Sequence, residues 1–123
     1  MTAAANALKA KISTPLVAAT RDWFVRVFAM RVVEAWDEPG DCGCILALSD
    51  GPEQALLEIW RCERAFDFAG LSLQFRVDDL DRFIAALPPG TERRGPVERP
   101  WGSVYVYLTD PNGIGVVVYQ GGY

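Results

Sequence analysis

"LTDPNGIGVVVYQ", residues 108–120, lies over "LSDGPEQALLEIW", residues 48–60, when the chain is shifted against itself by 60 positions. Each segment reads as a strand end, an Asp-led turn and a further strand. The same shift lays "LVAATRDWFVRVF" (16–28) over "RVDDLDRFIAALP" (76–88), with Val17 on Val77, Trp23 on Phe83, Phe24 on Ile84 and Val27 on Leu87. An ordered echo at one fixed shift marks a duplicated unit. That unit is strand, helix, strand, strand, strand, used twice, over about 9–62 and 71–120.

Helices are predicted near 19–29 and 78–87, because Phe24, Val27 and Phe28 in one and Leu80, Phe83, Ile84 and Leu87 in the other recur at helical spacing. Pro88-Pro89-Gly90 stops the second. Strands are predicted near 9–17, 30–36, 42–49, 54–62, 71–77, 92–98, 103–109 and 114–120, with irregular loops over 37–43 and 63–70. Neither unit is large enough to fold alone, so the chain of 123 residues is expected to be one domain of two repeats. The fold class is α+β: two βαβββ modules in tandem, forming a curled mixed sheet with a concave cup and the helices on its outer face.

Alternation assigns the faces. In "LSLQFRV" Leu71, Leu73, Phe75 and Val77 form an apolar row that takes the helix, while Ser72, Gln74 and Arg76 face the open side. By the same rule Val104, Val106 and Leu108 lie helix-side and Ser103, Tyr105 and Tyr107 lie open. In the first module Leu57 and Ile59 lie helix-side, and Leu56, Glu58, Trp60 and Cys62 lie open. Aromatic rings and a few polar groups converging on a curled open face are what a small-molecule site requires.

Composition removes several function classes. The net charge is −4, with 23% charged residues, so no basic stripe exists to grip a phosphate backbone and nucleic acid is not an expected partner. The N-terminal "MTAAANALKAKIS" has no apolar signal-peptide region and no run is long enough to span a bilayer, so no membrane association and a cytoplasmic location are expected. Three cysteines, Cys42, Cys44 and Cys62, are an odd number and are expected to be free thiols packed as small apolar groups. There is no histidine, which removes Ser-His-Asp and Cys-His nucleophile systems and every His-based zinc or iron site.

From about residue 9 to 120 the chain resembles the vicinal-oxygen-chelate superfamily, the glyoxalase, bleomycin-resistance and extradiol-dioxygenase fold. The resemblance rests on "RDWFVRVFAMRV" (21–32), "FRVDDLD" (75–81) and "DPNG" (110–113), in that order and with the repeat. It implies four inward-facing metal positions, which fall near Lys9, on Glu58, near Ser72 and on Val117. Only Glu58 can serve as a ligand there, so no metal and no cofactor are expected. "ERPWGSVYVYLTDPNG" (98–113) is similar to the hairpin of bleomycin-resistance proteins, which implies a non-catalytic homodimer that sequesters an antibiotic-like, cationic or aromatic small molecule. The alternative is a superfamily enzyme, a lyase, isomerase or oxygenase, with a non-standard or absent metal site.

The expected ligand-binding residues are Glu58, Trp60, Trp101, Tyr105, Tyr107, Gln74, Arg76, Phe66 and Phe68. Each has a plainer alternative. Trp60 and Trp101 stack on a guest or pack in a core or dimer seam. Glu58 meets a ligand cation, or Arg76 or Lys11 across the cup. Phe66 and Phe68 close over a guest or pack at a seam. Asp78, Asp79 and Asp81 read as a helix N-terminus, and Arg93, Arg94 and Arg99 as solvated loop cations.

Overall fold

The computed structural model describes residues 3–48 and 51–123. Ser49 and Asp50, which carry the end of one predicted strand and the first Asp-led turn, lie outside the described residues. The element order is β1 (Leu8–Thr14), α1 (Val17–Phe28), β2 (Arg31–Glu38), β3 (Asp41–Ala47), β4 (Ala55–Arg61), then β5 (Ser72–Arg76), α2 (Leu80–Ala85), β6 (Arg94–Glu98), β7 (Val104–Thr109) and β8 (Gly115–Gln120). The chain divides into two compact units, Met1–Phe66 and Asp67–Tyr123. Each is βαβββ, as the internal echo predicts.

The first unit holds a four-stranded mixed sheet in the order β1-β4-β3-β2. β1 runs parallel to β4 and the other pairs are antiparallel. Helix α1 packs on β3 and β4. Phe24, Ile12, Leu46 and Ile59 are fully buried there, with Cys44 at 1% exposure. Trp23 and Phe28 frame Phe24 with ring centroids at 4.9 and 6.1 Å. α1 ends on Ala29, a non-glycine residue in the left-handed region with φ 52°. The sequence predicts a loop at 37–43, and this expectation fails. β2 and β3 run on to a tight turn at Pro39-Gly40, with Gly40 at φ 76°. Proline followed by a positive-φ glycine needs only two residues to reverse the chain.

The second unit repeats the plan in the order β5-β8-β7-β6, with β5 parallel to β8. Of the predicted helix-side row Val104, Val106 and Leu108, Val106 is fully buried, Leu108 nearly so and Val104 half-buried, and Val116 and Val118 of β8 are buried with them. α2 is shorter than predicted. Asp79 caps it by accepting from the Arg82 amide at 3.0 Å, and Asp81 lies in its first turn, the structural role expected of that acidic cluster. "DPNG" is likewise structural. Buried Asp110 accepts from the amides of Asn112 and Ile114 through Oδ1, each at 2.8 Å, and from Asn112 Nδ2 through Oδ2 at 2.9 Å. No helix among the described residues is long and apolar enough to cross a membrane.

Candidate functional site

On the open face of the first unit, strand register sets two neighbouring rows. Lys11, Glu58, Ile45 and Glu34 align across β1, β4, β3 and β2, and beside them Ser13, Trp60, Gly43 and Trp36. The Glu58 side chain is only 13% exposed. A carboxylate so covered needs compensating charge. Lys9 Nζ supplies it at 2.9 Å and Lys11 Nζ at 3.8 Å. Of the two partners expected for Glu58 within the protein, Lys11 is present. Arg76 belongs to the second unit, where its guanidinium lies 5.8 Å from the Tyr123 ring.

Trp60 lies on this face as predicted, and it is not alone. Its indole Nε1–H donates to Asp41 Oδ1 at 2.9 Å, and the Trp36 indole donates to the same oxygen at 2.8 Å. Gly43 makes this possible. A Cβ there would stand 2.5 Å from the Ile59 carbonyl and 2.8 Å from the Trp36 ring, so the indole occupies space that any side chain would fill. The Trp60 indole N–H, then that of Trp36, hold the Asp41 carboxyl below its ordinary value, with the Lys11 ammonium adding to them and desolvation opposing. Lys11 Nζ also lies 4.6 Å from the Trp60 ring centroid. Sequence reasoning missed Asp41 because it treated 37–43 as loop, and with it the role of Trp36, the last residue of the strand predicted over 30–36. The signal available was Pro39-Gly40 between two alternating runs.

At the ends of β2, β3 and β4 a cleft of about 550 Å³ opens beside Trp60. It is lined by the acidic residues Asp37, Glu38, Asp41 and Glu63, by one arginine, Arg61, and by Cys42 and Cys62. All three cysteines are free. Cys44 is buried, which pushes its thiol pKa up, and Cys62 donates to the Arg64 carbonyl.

The open face of the second unit is a sheet of rings. Tyr105 is the hub, 6.0 Å from Trp101 edge-on, 6.2 Å from Tyr107 and 5.4 Å from Tyr119 between centroids. Trp101 sits in the turn before β7 and is 52% exposed. Gln74 and Arg76 are exposed on edge strand β5, in register with Val117 and Tyr119. Ser103, expected on this open side, is instead buried. It donates to the Gly122 carbonyl, and the chain at Gly121 passes directly over it. Phe66, exposed with the Arg64 guanidinium 4.9 Å from its ring, ends the first unit, and half-buried Phe68 lies near the start of the second.

The positions the resemblance assigns to metal ligands do not fit a divalent cation. In register with Glu58 stands Lys11, and in register with Val117 stands Gln74, each two residues from the expected neighbourhoods of Lys9 and Ser72. An ammonium repels a cation and valine has no donor. Among the described residues no three Asp, Glu or Cys side chains cluster to hold a metal.

No family model and no curated protein matches the sequence. Solved structures do. TnmS3, an antibiotic binding protein from Streptomyces sp. CB03234, is 19% identical with a TM-score of 0.73, covering 94% of this chain and 97% of its own. The fosfomycin resistance protein FosX from Mesorhizobium loti is 18% identical with a TM-score of 0.70, covering 94% and 90%. A glyoxalase family protein from Enterococcus faecalis is 20% identical with a TM-score of 0.71, covering 93% and 94%. With two βαβββ units, each built on a β1-β4-β3-β2-type sheet, the chain has the vicinal-oxygen-chelate fold.

Proposed function

We propose that the protein is a non-catalytic, cytoplasmic homodimer that binds and sequesters an antibiotic-like small molecule carrying a cationic or aromatic group. The observation that carries this reading is the Trp36–Asp41–Trp60 arrangement beside the acid-lined cleft. Two indoles pinned to one carboxylate are held in fixed orientation, so a planar guest meets a preorganised ring surface with little side-chain entropy left to lose. A cationic guest gains a second attraction, since four acidic residues lie around the cleft against one arginine. Glu58 already faces two ammonium groups and is not offered to the guest as a bare charge. In this reading Trp60 is a stacking face, Asp41 and Trp36 position it, and Tyr105, Tyr107 and Trp101 form the ring surface of the second sheet. The likeness to an antibiotic binding protein supports the reading.

The test is titration with proflavine, a planar cation, followed by tryptophan quenching and by mass analysis of the recovered probe. Cation–π and stacking contacts contribute about 0.5 to 2 kcal/mol, so Trp60→Ala is expected to weaken binding roughly 2- to 30-fold. Undiminished affinity in Trp60→Ala would remove the site. Chemical conversion of a bound compound would transfer the protein to the enzymes that share its fold.

A further inference from the structure

The second unit carries a different chemistry from the cleft of the first. Arg94 lies in register with Tyr107, its guanidinium carbon 4.0 Å from the ring centroid. Arg99 lies 5.1 Å from the Trp101 centroid and 5.8 Å from that of Tyr105. Arg76 stands in register with Tyr119 on the same face. Among the described residues none of these three guanidiniums has an ion-pair partner, and the covered Nε of Arg99 has no acceptor. A guanidinium donates up to five N–H groups, and a covered one left unmet costs free energy that an arriving acceptor restores.

The sheet itself clears acid from this face. A bulge in β6 pairs Arg94 with Tyr107 but Val97 with Tyr105, so one extra residue separates the two pairs. The slip turns Glu98 to stand beside Val104, on the opposite side from Tyr105. An unbulged strand would bring Glu98 onto the face that holds Arg94. Among the described residues no strand position on this face carries Asp or Glu. In a chain of net charge −4 this concentration of unpaired guanidinium over aromatic rings is local and specific.

We infer that the open face of the second sheet is a binding surface, built from residues of the second unit alone, for a planar aromatic anion, an aryl carboxylate, whose ring packs against Tyr105 with Trp101 at its edge and whose carboxylate is taken by Arg99 and Arg94. The rings supply apolar area at low entropic cost, and the fork geometry of guanidinium matches a carboxylate. The surface uses no residue of the Trp60 cleft.

The experiment is calorimetric titration of the whole chain with three probes sharing one ring system: 2-naphthoate, 2-naphthamide and 2-naphthylmethylammonium. The expected result is 2-naphthoate binding at least about tenfold tighter than the amide, from one charge-assisted hydrogen-bonded contact. The advantage should shrink with added salt and vanish in Arg99→Gln and Arg94→Gln, while proflavine binding stays at the parent value. Arg99→Lys keeps the charge without the fork and is expected to retain only part of the preference. If Arg99→Gln fails to fold, Arg94→Gln, altered at an exposed position, decides the matter alone. Equal affinity for all three probes, or a naphthoate preference unchanged in Arg94→Gln and in whichever Arg99 variant folds, overturns the inference.

Discussion

Gly43→Ala is the sharpest test of how the first sheet builds its ring surface. The added Cβ would meet the Ile59 carbonyl oxygen at 2.5 Å and the Trp36 ring at 2.8 and 3.2 Å. The ring can turn away, but the carbonyl belongs to the paired strand β4 and cannot move without opening the β3–β4 ladder. Overpacking of this kind costs about 1–3 kcal/mol, and the backbone contact puts this case in the upper part of that range. For a chain of this size that is a fall of roughly 5–12 °C in Tm. Because the displaced ring is Trp36, its N–H leaves Asp41, so the tryptophan emission spectrum should shift along with the loss of stability. Thermal unfolding followed by circular dichroism and by fluorescence reads both effects on one sample. Gly70→Ala is the control, because a Cβ there meets nothing within 4 Å and its φ is ordinary; it should stay within about 0.5 kcal/mol of the parent. A Gly43→Ala protein as stable as that control, with unaltered emission, would refute the claim that the glycine exists to seat the indole.

Three further outcomes are expected. The indole donors lower the Asp41 pKa in the folded chain, so their contribution is fully present above the ordinary carboxyl value of 3.8 and is lost as pH falls through the lower, folded one. Tryptophan emission should therefore be flat from neutral pH down to about that ordinary value and change only below it, and Asp41→Asn should abolish the change; a transition centred well above that value contradicts the clamp. Ala29→Gly relieves a left-handed alanine at the end of α1 and should raise stability by about 0.5–1 kcal/mol in urea unfolding, the Cβ strain outweighing the added freedom of the unfolded chain; a loss of stability would show the position unstrained. Asp110→Ala leaves two amides and the Asn112 side chain without their acceptor and should cost about 2–4 kcal/mol in the same assay; a neutral effect would mean that the turn holds without its carboxylate.

The echo at a shift of 60 residues located the elements but not their pleat phase. It lays Glu58 over Val118 and Ile59 over Tyr119, yet Glu58 and Tyr119 lie on open faces while Ile59 and Val118 lie in cores. A slip of one residue reverses every side chain of a strand, so a weak repeat cannot carry facing information. Alternation within each strand does carry it, and it placed Leu57, Glu58, Trp60, Tyr105, Tyr107 and Val106 on their observed sides.

Sequence by itself therefore determined the two βαβββ units, their cores, the structural duties of Asp79 and Asp110, and the absence of histidine chemistry, because period and composition are local properties. Only the tertiary structure decided the charges and rings. The pairing of Glu58 with Lys9 and Lys11 depends on the parallel register of β1 against β4, some fifty residues apart in sequence. The sharing of Asp41 by Trp36 and Trp60 depends on a two-residue turn and on bare space above Gly43. The bulge that turns Glu98 away from Tyr105 depends on how β6 meets β7. Each is a matter of register, and register is set by which strands meet, a non-local outcome that no window of sequence contains.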